Sequence, residues 1–402
     1  MSVLQGATDF FLIERIFSQL SSTVAIALLK NGALSYEFYG GKKLNGVGAG
    51  TGAGAGAASG PGAAGAAGSV GPAGSSGPSG TSGSPGSPGT SGSPGSPGSP
   101  GSSGSPGSSH AHGHVSRTTR FNIGTAAMFV TGALIIKLME FGELRLSDKV
   151  KKFSPAFKFD GISVFHLLTH TSGLDFGGLA QPENYIARKE FFGKLYSADS
   201  LAYPTGRRCA VFPYGYSILA DIAERVTGQS IDELAATLIF APVCMSNTTY
   251  RGAALSDDMY VLPWSHKENR FLSEFRSALS TGFSGMYTTV LDLLKLGSVF
   301  LNGGEHEGQQ IFLESSVDFM MRDITSGKFM RTPIFMIKGE TAAYDCFSKR
   351  HSASAVAQTG DTGSILFIDP QRHTVGAALT NSTWVHDSSQ NYSNICDILM
   401  SM

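Results

Sequence analysis

The chain predicts a mixed α/β (α+β) fold: one antiparallel sheet flanked by N- and C-terminal helices, with a helical domain inserted between its strands. Three observations carry this. Strand-like runs stand near both ends, helical runs fill the middle, and Asn31-Gly32 and Asp369-Pro370 turns punctuate the terminal strands.

In chain order, MSVLQGATDFFLIERIFSQL reads as an amphipathic helix. Asp9, Glu14 and Arg15 interrupt its apolar residues, and it lacks the basic start and unbroken apolar run of a secretion signal. STVAIALLK and ALSYEFYG follow as two strands, separated by Asn31-Gly32, a two-residue hairpin signal. Phe121 to Phe141 reads as a helix whose apolar residues go nearly all the way round, hence a central, buried one. Gly142 ends it. ISVFHLLTHTSGLDFG reads as a short helix closed by a turn, and Gly215 to Pro242 as a long helix with a break at Gly228. GMYTTVLDLLKLGSVFLNGG is a further helix ending at Gly303 and Gly304. GSILFIDP and TVGAALTN alternate as two strands, and NYSNICDILMSM closes the chain as a helix.

Composition excludes several functions. The 402 residues carry a formal charge of -1 with 15% charged residues, which argues against a nucleic-acid surface or a polybasic membrane anchor. The longest apolar run, Ala126 to Ile136, is too short to span a bilayer and stops at Lys137. A soluble, cytoplasmic protein is expected, with the mitochondrion or another organelle as the alternative compartment. Cys209, Cys244, Cys346 and Cys396 lie far apart with no Cys-x-x-Cys pair, and read as free buried thiols in a reducing compartment.

Residues 47–117 stand apart. Glycine recurs at every third position from Gly62 to Gly107, in sixteen unbroken Gly-x-y triplets, the compositional signature of a collagen strand. A rod of that length, about 3.1 Å per residue, cannot leave and re-enter one compact domain. A disordered insertion fits better, since closing a long flexible loop costs only slowly more with length. The domain then comprises residues 1–46 and 118–402, with a helical subdomain at about 120–260. His110, His112 and His114 could chelate a transition metal, but no further ligand lies nearby, so no metal and no cofactor is assigned.

The elements and their order resemble the serine β-lactamase and penicillin-binding-protein superfamily. The class C-like branch, with its esterases, D-aminopeptidases and mitochondrial β-lactamase-like proteins, is the nearest part of it. The most specific match is His166-Leu-Leu-Thr-His170-Thr-Ser172-Gly173-Leu174. Gly215-Tyr216, Ile239-Phe-Ala-Pro242, Asn302-Gly303-Gly304, Thr359-Gly360 and Leu379-Thr380-Asn381 support it, and the likeness covers roughly residues 8–45 and 118–400.

The resemblance implies a β-lactamase/transpeptidase-like fold and a mechanism in which a helix-borne serine attacks a carbonyl while a lysine one turn on takes its proton. The serine position falls on Thr125 and the lysine position on Met128. A Tyr-x-Asn motif falls on Val211-Phe212-Pro213, and a Lys/His-Thr-Gly motif on Gln358-Thr359-Gly360. Thr125 without a base stays a weak nucleophile and also suits a helix N-cap; Met128 suits a buried helix face. Tyr214 and Tyr216 stand close enough to replace the missing tyrosine if the backbone shifts, and His166 and His170 read as packing or hydrogen-bonding histidines.

A catalytically impaired β-lactamase-like protein is therefore expected. It would keep a cleft around Thr125, Gln358, Thr359, Gly360 and Tyr214 for a peptide, an acyl small molecule or a protein partner. Two alternatives stand beside it: a working esterase or amidase using Thr125, and an assembly protein that self-associates through the Gly-x-y loop.

Overall fold

In the computed structural model, which describes residues 23–41, 43, 113–175, 188–276, 280–338 and 346–402, the two ends of the chain meet in one sheet. The expected N-terminal helix, the Gly-x-y run and His110 and His112 lie outside the described residues. Six strands make the sheet: β1 (Thr23–Lys30), β2 (Ala33–Gly41), β3 (Met336–Ile337), β4 (Val356–Gly360), β5 (Ser364–Asp369) and β6 (Thr374–Thr380). Their order is β3-β4-β5-β6-β1-β2, every pair antiparallel. The expected antiparallel sheet completed by both termini is what forms.

Period-two alternation explains why β1 is apolar throughout. Ala25 and Ala27 face the larger core, with Leu366, Val375 and Ala377 beside them. Val24, Ile26 and Leu28 face the opposite way, onto a second core with Phe367, Tyr392 and Leu399. A strand held between β6 and β2 with both faces covered has no polar side to show. Asn31 (φ 50°) and Gly32 (φ 75°) form the β1–β2 hairpin in the left-handed region that a type I′ turn requires. The segments flanking residues 44–112 touch: Val115 N donates to the Gly41 carbonyl (3.2 Å) and Lys43 N to the Gly113 carbonyl (3.0 Å).

Four helices matter here: α1 (Met128–Glu140), α2 (Pro213–Thr227), α3 (Val290–Leu301) and α4 (Ser389–Ser401). α4 covers the second core through Tyr392, Ile395, Cys396 and Leu399. α3 lies on the other face, where Gly297 lets it approach Val375. α1 is central as expected and ends in a Schellman motif at Gly142 (φ 79°), with Glu143 N donating to the Leu138 carbonyl at 3.0 Å. No helix among the described residues is long and apolar enough to cross a membrane.

Two boundaries differ from expectation. α1 begins at Met128 rather than Phe121: Phe121 belongs to a short strand, Arg120–Asn122, and Gly124–Ala127 is a 3-10 turn. The cause is local, because the Asn122 side chain accepts from Gly124 N (2.9 Å) and Gly124 sits at φ 53°, which stops a helix from running back. The helix expected from Gly215 starts at Pro213; its expected break falls at Gly228 (φ 72°), after which a capping box at Ser230 and Glu233 starts a second segment, Ile231–Ala235.

The turn ahead of α1 is locked to the end of β4. Thr125 N donates to Asp361 Oδ1 (2.9 Å), and Asp361 N donates back to Thr125 Oγ1 (3.1 Å). Thr362 Oγ1 donates to the Asn122 carbonyl at 2.7 Å. Two glycines make room: a Cβ at Gly124 would overlap the Asp361 carboxylate, and one at Gly360 would overlap the Ile123 carbonyl oxygen.

Burial also affects titration. His351 is 3% exposed, its Nδ1 accepting from Ser348 N (3.0 Å) and its ring edge-on to Phe367; burial pushes its pKa down to about 4. His170 is buried and held well below the ordinary histidine range by desolvation. The unfolded chain therefore binds these protons more readily, so both neutral rings add stability above the ordinary histidine range that is lost on acidification, for His351 as pH falls from about 6.5 toward about 4. In urea titrations, His351 should make the protein about 2 kcal/mol less stable at pH 5 than at pH 7, and His351→Gln should shrink that difference. Gly124→Ala should cost about 1–3 kcal/mol. In an Asp361→Ala background the cost should fall by more than about 0.5 kcal/mol, since the overlapping oxygen is gone; additive losses would refute the lock.

Candidate functional site

A cavity of about 770 Å³ opens beside the locked turn, a size suited to a small molecule. Thr125 and Met128 reach it from the start of α1, Gln358 and Thr359 from β4, and Val211 and Tyr214 from the head of α2. Six of the seven residues expected at the site thus share one wall. Gly360 does not line it. Its place is behind the wall, where its carbonyl accepts from Tyr392 Oη at 2.6 Å and its missing Cβ admits the Ile123 carbonyl.

Thr125 is half-buried within the 3-10 turn, and its hydroxyl accepts from Asp361 N instead of capping α1, whose first turn has no side-chain cap. The expectation of an N-cap fails because the left-handed Gly124 starts a tighter turn before the helix. Met128 is buried and carries no proton to exchange. Val211 is 61% exposed and apolar. Phe212 N donates to His170 Nδ1 (3.0 Å), and Pro213 takes the first helical position of α2. Gln358 is only 4% exposed; its Nε2 donates to the Thr359 carbonyl (3.2 Å), while its Oε1 has no partner.

Neither tyrosine fills the missing position in a simple way. Tyr216 is fully buried and its hydroxyl points at the Leu168 (3.0 Å) and Pro333 (3.2 Å) carbonyls. Tyr214 does line the cavity, packed edge-on against Phe283. The two histidines of the His166–Leu174 segment hold backbone: His166 Nδ1 accepts from Ser163 N (3.2 Å), and His170, at φ 55°, stacks on Tyr216.

Residues that no motif pointed to complete the walls: Asp361, Arg331, Cys209, Phe283 and His386. Burial raises the Asp361 carboxyl above the ordinary carboxylate range, opposed by the Thr125 amide and by His386. Burial likewise raises the Cys209 thiol, whose Sγ lies 3.4 Å from the Thr169 carbonyl. Asp361 follows Thr359-Gly360 directly and so was within reach of motif reasoning; Arg331 sits in irregular chain with no periodicity to flag it. The free cysteines differ in part from expectation: Cys346 and Cys396 are buried, Cys209 is half-buried and Cys244 is exposed. Away from the cavity, Cys244, His306 and Glu307 bring ligand-type atoms within 4.8 Å of one another, a grouping their sequence spacing does not signal.

Chemically, the lining offers the Thr125 hydroxyl occupied as an acceptor, the Thr359 and Tyr214 hydroxyls, the Asp361 carboxyl, the unpaired Gln358 amide oxygen, the Cys209 thiol, the His386 imidazole, the buried Arg331 guanidinium and the exposed Lys328 ammonium. The lysine, tyrosine and asparagine of the motif pattern have no counterparts at Met128, Val211 and Pro213.

Comparison with known proteins agrees with this architecture. A 324-residue match at 24% identity, spanning 68% of this chain and 70% of its counterpart, links it to a protein named N-acetylmuramyl-L-alanine amidase from Bacillus subtilis (strain 168). A putative D-alanyl-D-alanine carboxypeptidase from Escherichia coli (strain K12) is 24% identical over 303 residues, 63% of this chain and 67% of that protein. Among solved structures, EstCE1, a hydrolase with promiscuous acyltransferase activity, superposes with TM-score 0.67 at 15% identity over 98% of this chain and all of that one. The octameric penicillin-binding protein homologue from Pyrococcus abyssi gives TM-score 0.63 at 17% identity, over all of this chain and 78% of that one. The family model described as Beta-lactamase matches residues 102–393, and with more than half of its length so matched the chain belongs to that family.

Proposed function

We propose that this β-lactamase family member has lost acyl-transfer catalysis and keeps its cleft as a binding site for an acyl small molecule or a peptide. The observation that carries this is the state of Thr125. Its hydroxyl accepts from the Asp361 amide, and the residue one turn further along the wall is a buried methionine. Met128 supplies no base, and burial pushes the adjacent Asp361 carboxyl up toward its neutral form, so the hydroxyl stays a weak nucleophile near pH 7. Loss of a general base alone costs about 10²- to 10⁴-fold, and nucleophile and base act as a unit, so the losses do not add. Backbone N–H groups around the turn could still polarise a bound carbonyl, which favours binding over turnover.

The relatives' names, an amidase, carboxypeptidases and a hydrolase with acyltransferase activity, point to carbonyl compounds as the ligand class. Residues 47–117 are best taken as an insertion into the domain, supported by the hydrogen bonds that join Gly41 to Val115 and Lys43 to Gly113. Its length then has little bearing on the cleft.

Intact-mass measurement after incubation with a fluorophosphonate and with a β-lactam is expected to find no adduct on the protein. An adduct that disappears in Thr125→Ala would overturn the proposal in favour of a working hydrolase.

A further inference from the structure

Loss of acyl chemistry leaves Arg331 unexplained. Its side chain is 5% exposed and lines the cavity, and its Nε has no hydrogen-bond partner. Among the described residues no ion pair involves it. The groups it acts on include the Tyr216 phenol, to which it is hydrogen-bonded, the His170 imidazole and the Cys209 thiol, each kept uncharged by burial and none a counter-ion. The cavity's own carboxyl, Asp361, is engaged by the Thr125 amide and answers to His386. A guanidinium cannot shed its charge, and one buried without a counter-ion is costly.

We infer that the cavity seats the carboxylate of an amphiphilic monoacid, with Arg331 as its counter-charge and the apolar chain against the methionine-rich wall. The inference deepens the reading of the cleft as a binding site and rests on it. Met128, Phe283, Met330, Met336 and Ile337 supply the apolar lining, and thioether side chains adapt to a chain of variable shape. The cavity, at about 770 Å³, can enclose most of a small ligand of this kind.

The lining near Arg331 suits a single carboxylate. The unpaired Gln358 Oε1 and the Asp361 carboxyl are acceptors on the same lining, and a second carboxylate would meet them unfavourably. The planar fork of Arg331 suits a carboxylate, which it can grip through two parallel N–H donors.

Calorimetric titration of the full chain with octanoate and with octanamide, which share chain length and differ in charge, tests this directly. Octanoate is expected to bind at least about tenfold more tightly than octanamide, in line with a charge-assisted pair at a desolvated site. Arg331→Met should abolish that preference, and Arg331→Lys should keep part of it. Equal binding of the two probes, absence of octanoate binding, or a preference that survives in Arg331→Met would each overturn the inference. The wild-type comparison decides the matter even where Arg331→Met fails to fold. Ester turnover at Thr125 would remove the impaired-enzyme reading without altering the preference for octanoate, so the two failures are distinguishable.

Discussion

Everything around the cavity depends on the reciprocal pair between Thr125 and Asp361. Two hydrogen bonds, amide to carboxylate and amide to hydroxyl, tie the turn before α1 to the turn after β4. The tie leaves no room for a Cβ on either side, at Gly124 against the Asp361 carboxylate and at Gly360 against the Ile123 carbonyl oxygen. It also defines the surroundings of the Thr125 hydroxyl, which accepts from a backbone amide, lies beside the Asp361 carboxyl and has a methionine as its neighbour one turn on.

The sheet supplies the rigidity this arrangement needs. β1 lies between β6 and β2 with both faces covered, so the N-terminal hairpin and the C-terminal strands form one layer. α1 is buried on nearly all sides, and α4 seals the far face through Tyr392, whose hydroxyl reaches the Gly360 carbonyl across the layer. The wall that carries Gln358 and Thr359 is thereby held from both sides. Against that apolar background the buried guanidinium of Arg331 stands out, because its basicity leaves it no neutral form to adopt and burial penalises the charge it keeps.

Much of the fold was legible because it rests on local signals. Asn31-Gly32 set the hairpin, period-two runs set β5 and β6, and Gly142 and Gly228 stop their helices in left-handed conformation. Thr125, Met128, Val211, Tyr214, Gln358 and Thr359, picked out by motif spacing, all line the one cavity. What failed was what local sequence does not encode. The N-cap role of Thr125 is outcompeted by a partner 236 positions along the chain, and Gly360 turns out to act through close packing behind the wall. Arg331 was invisible because burial of a charge is a tertiary property, decided by which neutral groups happen to surround it.

The central claim, a retained cleft without acyl turnover, is tested most directly by hydrolysis of p-nitrophenyl octanoate, measured side by side for the wild-type chain and Thr125→Ala. The account predicts equal rates for the two proteins, neither far above buffer. A wild-type rate that collapses in Thr125→Ala would contradict it and make Thr125 a working nucleophile.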